Sequence, residues 1–335
     1  MALLNDAIRL GQKADPIIRE RIQRYPSQEF RSPLNYHFGA GGKRVRAAIT
    51  LLSCSAAGGL VKNATVPAAI VEMIHNYSLV MDDIIDRAQL RRGKPSVRIV
   101  LGDSIALLVA MTYRELLDQM IENSISKQKM RQLAVKAMIE IIDGERLDLQ
   151  FEQSGRSDPY LLSHRISQPN FDRYLEMIGK KTASLFRTAG QMGAYAARRA
   201  DTKTVEALGE FGWNAGLAFQ IMDDVLDIAG NNTGKEPAKD VIEHKLGNAT
   251  ILVALKFMPS SKRKRLLSIL QTEHVSRKMA DEARKLIAQT PAEESCREIA
   301  KSYTAKAEKY LMMLRPSRYR HALMSLCNEM VYRTF

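Results

Sequence analysis

With 335 residues, 45% of them hydrophobic, the chain can bury a sizeable core as one large domain or two small ones. A net charge of +13 calls for anionic partners, but no interleaved basic–aromatic motif of a DNA- or RNA-binding module is present, so no nucleic-acid partner is expected. Three scattered cysteines (Cys54, Cys296, Cys327) form no disulfide framework, no secretory signal opens the chain, and no apolar run approaches the roughly 20 residues that cross a bilayer; the expected compartment is the reducing cytoplasm, with no transmembrane segment.

Aromatics are only 6% while helix-forming residues are plentiful. Apolar spacing near 3.6 and the lack of alternating β-branched runs predict an all-α bundle. Residues 1–25 read as one amphipathic helix carrying Leu3, Leu4, Ile8, Ile17, Ile18 and Ile22, and Pro26 and Pro33 bracket a turn. Residues 39–42 lead to Lys43, Arg44 and Arg46; without a GxxxxGK[ST] pattern this is, by itself, a basic loop before a helix over 45–57. A loop over 58–67 precedes a helix over 68–86.

That helix carries Asp82, Asp83 and Asp86 inside an apolar run, where an unpaired charge is costly. Asp82 and Asp86 lie about 40° apart on one face, with Asp83 beside them. Like charges so placed repel unless a cation holds them, and an oxygen-only ligand set suits Mg²⁺. Arg91 and Arg92 follow, two guanidinium forks suited to an anion. His75, seven residues before Asp82, would alone read as a core histidine. Helices are expected over 101–123, 127–153 and 170–187, the last bearing Lys181 and Thr182, with a loop rather than a domain boundary over 154–169. In the next helix, over 202–228, Gly209, Gly212 and Gly216 point to close packing. The same helix ends in FQIMDDVLD, where Asp223, Asp224 and Asp227 repeat the spacing of the first acidic set. Two solvated acidic faces would not need that duplication; two metal-binding faces meeting across a cavity would. A turn over 230–234 and helices over 248–258, 277–288 and 293–314 complete the chain, with residues 262–265 (KRKR) as a solvated turn.

Through residues 41–46 (GGKRVR), His75, 78–86 (SLVMDDIID), 91–95 (RRGKP), Gly144, Asp148, Lys181, Thr182, 219–227 and 234–245 (GKEPAKDVIEHK), the chain resembles the trans-isoprenyl diphosphate synthases, or polyprenyl synthetases, over nearly its whole length. The resemblance implies an isoprenoid synthase helical bundle around a central cavity. It also implies a single domain over 1–335, usually a homodimer, and about three Mg²⁺ ions with bound diphosphate. The implied reaction joins isopentenyl diphosphate head to tail onto an allylic diphosphate.

Carried over to this sequence, the pattern puts Lys43, Arg46, His75 and Arg92 on isopentenyl diphosphate. Arg91, Lys181, Thr182, Gln220, Lys235 and Lys245 fall on the allylic diphosphate. The metal set is Asp82, Asp83, Asp86, Asp223, Asp224 and Asp227, with Asp240 holding water on the metals. Asp82, Asp86, Arg91, Lys181, Asp223 and Lys245 are the catalytic group. Ser96, Arg98, Ala110 and Met111 depart from the usual Thr, His, Gly and Asp, His244 stands where Gly is common, and Glu145 stands where the family often has Gln.

Ser78 and Tyr77, four and five residues before Asp82, are the candidate floor of the product pocket. Tyr77 is about 140° from Asp82 on an ideal wheel, but an aromatic at this fifth position is associated in the family with short products. Geranylgeranyl diphosphate is the first expectation, with farnesyl or longer products as alternatives. A terpene cyclase would not need the second diphosphate set. A non-catalytic subunit of a heteromeric synthase would be expected to carry degenerate Asp motifs, and here they are intact.

Overall fold

Apolar residues at helical spacing give a chain built almost wholly of helices, in a computed structural model that describes residues 2–198, 200–229 and 238–331. In order they are α1 (Ala2–Gly11), α2 (Asp15–Arg24), α3 (Arg31–Gly39), α4 (Val45–Ala56) and α5 (Thr65–Ile85). The hairpin β1 (Leu90–Arg91) and β2 (Lys94–Pro95) follows, then α6 (Val97–Leu101), α7 (Asp103–Glu122), α8 (Lys127–Phe151), α9 (Pro159–His164) and α10 (Phe171–Ile178). A π-helical turn, Gly179–Ala183, joins α10 to α11 (Ser184–Ala196). The remainder is α12 (Thr202–Ala229), α13 (Lys239–Ile242), α14 (Ala249–Phe257), α15 (Ser260–Leu270), α16 (Arg277–Ala288), α17 (Ala292–Met312) and α18 (Arg318–Val331). The all-α expectation holds: the short hairpin forms the one named sheet among the described residues.

Packing divides the chain into two units, each assembled from separated stretches of sequence. One comprises Met1–Ile141, Ser184–Ala215 and Lys306–Met330; the other includes Ile142–Ala183 and Gly216–Ala305. In the first, α5 is the central helix, packing on α4 and α7, and α4 packs on α11. Its Ile70, Val71, Met73, Ile74 and Val80 are fully buried, each contributing about 1.5–3 kcal/mol. The Tyr113 hydroxyl of α7 donates to the Leu34 carbonyl of α3 at 2.6 Å, satisfying a buried phenol. Gly212 bears out the close packing read from the glycine spacing: a side chain there would collide with the Phe186 carbonyl of α11. In the second unit, α10 and α16 pack on α14, and α15 packs on α16.

Several elements differ from the sequence reading. The single helix over 1–25 is divided by a 3₁₀ turn, Gln12–Ala14, ahead of Pro16, whose missing N–H is tolerated in the first turn of α2. Pro33 likewise lies in the first turn of α3 rather than closing a turn. Gly102, at φ +86°, separates α6 from α7. The KRKR stretch is helical: in α15 it lies on the exposed side, while Leu266, Ile269 and Leu270 are buried. Three apolar anchors were too few to reveal that period. Lys235 and the turn expected at 230–234 lie outside the described residues. Among the described residues, no helix is long and apolar enough to cross a membrane.

Candidate active site

The first acidic motif occupies the last turn of α5, and the helix divides its three carboxylates. Asp83 is 1% exposed and accepts from Arg91 Nε at 2.8 Å and from Arg91 Nη2 at 2.5 Å. Asp82 and Asp86 are half-buried, Asp86 capping the helix with its N–H on the Asp82 carbonyl. Burial opposes the charge on Arg91, but the Asp83 hydrogen bonds and the charges of Asp83, Asp82 and Asp86 prevail and raise its pKa. Arg91 sits on β1. Arg92 and Gly93 turn the hairpin with φ +55° and +75°. A left-handed arginine is strained, and it is held there by its hydrogen bond to the Gly41 carbonyl.

Arg44 anchors the junction between the loop carrying Lys43 and α4, which carries Arg46. Its side chain, 3% exposed, pairs with Asp15 at 2.8 Å and Glu72 at 3.2 Å. Arg44, read from the sequence only as one residue of a basic loop, ties that loop to α2 and α5 through these two acids. Arg46 lies over the Phe186 ring and 3.3 Å from His75 Nε2. Burial, then Arg46, Arg92 and Arg91, press His75 well below the usual histidine range, so it is neutral and offers a hydrogen bond rather than a charge. Arg46 on α4, His75 on α5 and Arg92 in the hairpin are thus neighbours, and Lys43 is exposed in the loop just before α4. Tyr77 and Ser78 are half-buried on α5, the Ser78 hydroxyl donating to the His75 carbonyl at 2.9 Å. Of the departures from the family pattern, Ser96 still uses its hydroxyl, on the Ala88 carbonyl at 2.7 Å, and Arg98 pairs with Asp103.

The second acidic motif, on α12, is divided in the same way. Asp224 is buried and accepts from the Tyr174 hydroxyl at 2.7 Å, Gln220 Nε2 at 2.9 Å and the Ala249 N–H at 2.9 Å. Thr182 donates to the Gln220 carbonyl at 2.8 Å, linking the π-helical turn to this carboxylate. Asp223 and Asp227 are half-buried; Asp227 receives the N–H groups of Lys239 and Asp240, both at 3.2 Å. Asp240 in turn accepts from Asn248 Nδ2 at 2.8 Å. Burial, followed by the charge of Asp240, pushes Asp224 and Asp227 each up to about 8.

Lys181 lies on the wide turn, a feature often found at functional sites. Its ammonium is 2.5 Å from Glu145 and 2.6 Å from Asp148 on α8. Lys245 reaches Asp148 and Glu243, both at 3.3 Å. Burial works against charge on Asp148, but Lys181 and Lys245 overcome it and hold the carboxyl below its usual range. Gly144 permits this geometry, because a side chain there would collide with the Lys181 backbone nitrogen. Lys180 points instead to Asp143 and Glu176.

Sequence reasoning missed Tyr174 and Asn248. Tyr174 precedes Lys181 by seven residues, about two helical turns, and no motif marks it. Asn248 carried a legible signal as the cap of α14, accepting from Thr250 and Ile251, but not its bonds to Asp240 and the Asp224 carbonyl.

Mg²⁺ fits these donors. Among the described residues no three His, Cys, Asp or Glu side chains are already gathered at metal-ligand spacing. Mg²⁺, however, takes one or two carboxylates and completes its octahedron with water and substrate phosphate. The raised Asp224 and Asp227 mark a crowd of carboxylates, with Asp240, whose repulsion a divalent cation relieves.

The polyprenyl synthetase family profile matches residues 27–287. A short chain isoprenyl diphosphate synthase of Methanothermobacter thermautotrophicus is 30% identical over 338 residues, covering 99% of each chain. The crystal structure of geranylgeranyl pyrophosphate synthetase from Pyrococcus horikoshii aligns with a TM-score of 0.86 at 29% identity, over 99% of this chain and 98% of that one. A polyprenyl synthase from Caulobacter crescentus, complexed with calcium and isoprenyl diphosphate, aligns with a TM-score of 0.83 at 28% identity over 98% of each chain. The chain belongs to the polyprenyl synthetase family.

Proposed function

We propose that this protein is a Mg²⁺-dependent trans-prenyltransferase, its 335 residues acting as one synthase domain, that condenses isopentenyl diphosphate with an allylic diphosphate to give geranylgeranyl diphosphate. The observation that carries the reading is the presence of two cationic sets, Arg46–His75–Arg92 and Lys181–Lys245, beside two intact acidic motifs. One diphosphate on each set accounts for both.

Mg²⁺ held by the outer carboxylates Asp82, Asp86, Asp223 and Asp227 would supply Lewis-acid neutralisation of the departing diphosphate. Asp83 and Asp224, also in the candidate metal set, keep Arg91 and Gln220 in place through the bonds described. Arg91, Lys181 and Lys245 present fixed positive charge where negative charge develops on the leaving group, a role the motif also assigns to Lys235. Thr182 and Gln220 steady the wide turn bearing Lys181. Lys43, Arg46 and Arg92 hold the second diphosphate, and neutral His75 donates to it. The double bond of isopentenyl diphosphate attacks the allylic cation, and the departed diphosphate takes the proton that is lost. Apolar surfaces near the carboxylates keep water from the cation.

The test is incubation with labelled isopentenyl diphosphate and dimethylallyl, geranyl or farnesyl diphosphate, followed by product sizing. A C20 product from all three is expected; no elongation of any primer overturns the reading. Tyr77→Ala is expected to lengthen the product, and an unchanged distribution places the floor elsewhere.

We also propose a cytoplasmic homodimer. The cytoplasm suits its three buried free thiols. For the dimer, α7 exposes Leu107, Leu108 and Met111 and α8 exposes Val135 and Ile139, at 44–62%. Apolar residues repeating on one helix face are what a partner surface covers. Ile139→Arg is expected to convert a dimeric sedimentation profile to a monomeric one; an unchanged mass sinks this interface.

A further inference from the structure

We propose that Glu145 is a positioning carboxylate that sets how tightly the allylic site holds diphosphate: it grips Lys181 in the ligand-free protein and yields it to the incoming anion. The inference rests on the assignment of Lys181 and Lys245 to that diphosphate.

The argument is one of charge. Lys181 stands between two carboxylates, Glu145 and Asp148, while Lys245 shares Asp148 and reaches Glu243, which Lys239 also pairs with at 2.9 Å. Asp148 alone reaches both ammonium groups, at 2.6 and 3.3 Å, and suffices to hold them in place. Glu145 is therefore the carboxylate Lys181 can give up without losing its anchor, and at 7% exposure water does little to screen it. Glu145 and Asp148 stand three residues apart on α8, on one face, so the two bracket the same ammonium from adjacent turns. The close approach at Gly144 keeps Lys181 within Glu145's reach.

An anion arriving at Lys181 must take it from Glu145 and bear the repulsion of a carboxylate that stays nearby. The glutamine often found here in the family would impose neither cost. Glu145 thus weakens diphosphate binding and speeds its departure after transfer, while it keeps Lys181 from wandering when the site is empty.

The experiment measures binding of inorganic pyrophosphate with Mg²⁺ by calorimetry, and separately the Michaelis constants of both substrates. Glu145→Gln conserves shape and removes the charge. It is expected to tighten pyrophosphate binding about tenfold and to lower the allylic KM by a similar factor, leaving the KM for isopentenyl diphosphate unchanged. A merely structural role would not tighten binding. In a Lys181→Ala background the effect of Glu145→Gln is expected to vanish. If Lys181→Ala weakens pyrophosphate binding but Glu145→Gln leaves it unchanged or weaker, the role of Glu145 is refuted and the site stands. If Lys181→Ala binds pyrophosphate as the wild type does, the assignment of the allylic site fails, and this inference with it.

Discussion

Asp82→Ala and Asp223→Ala will each lower turnover by about three orders of magnitude or more at limiting Mg²⁺, with the circular dichroism and melting temperature little changed. Both side chains are half-buried and outside the core, so truncation removes a proposed metal ligand rather than a packing contact. The middle carboxylates will behave differently. Asp83→Ala strands the Arg91 guanidinium, and Asp224→Ala leaves the Tyr174 hydroxyl and the Ala249 N–H without their acceptor. Each of those variants is expected to lose about 3 kcal/mol of stability as well as activity. Turnover and thermal melts on the four proteins separate the two classes. A folded Asp82→Ala enzyme with near-normal turnover would remove Asp82 from the metal set.

Gly144→Ala is expected to damage the proposed allylic site as severely as loss of a charged residue. The added carbon would meet the backbone of Lys180 and Lys181, which cannot rotate away as a side chain would. Overpacking of this kind costs about 1–3 kcal/mol, and a displacement near 1 Å at a catalytic group lowers the rate by about 100-fold. The variant should therefore melt earlier and show a raised allylic KM, both measurable on purified protein. Gly39→Ala is the control, because a carbon there meets nothing within 4 Å. Equal behaviour of the two variants would show that the approach of α8 to the π-helical turn is not demanding.

Much of this was legible in the sequence, because the dominant signals are local. The apolar period gave the long helices, and Asn170 and Asn248 cap helices where expected. The wheel of α5 already set Asp82 and Asp86 together, with Asp83 to one side. What it did not reveal was that Asp83 turns inward to an arginine eight residues later, a fact decided by tertiary packing. The π-helical turn was illegible for a related reason: GKKTA has ordinary helical character, and only contacts made elsewhere in the chain favour one widened turn. The amphipathic α15 was hidden by its own charges. Lys235, read from its motif alone, lies outside the described residues.

The ion triad of Asp15, Arg44 and Glu72 has a consequence for how this sequence can drift. Its members come from three elements, with Arg44 29 residues from Asp15 and 28 from Glu72 in the chain. Loss of either acid leaves a buried guanidinium short of a partner between Lys43 and the start of α4, which bears Arg46. Positions 15, 44 and 72 are therefore bound to change together or not at all. A lineage that swaps the arginine for an apolar residue must discard both acids in nearby steps, and until it does, α2 and α5 stay tied to the loop ahead of α4.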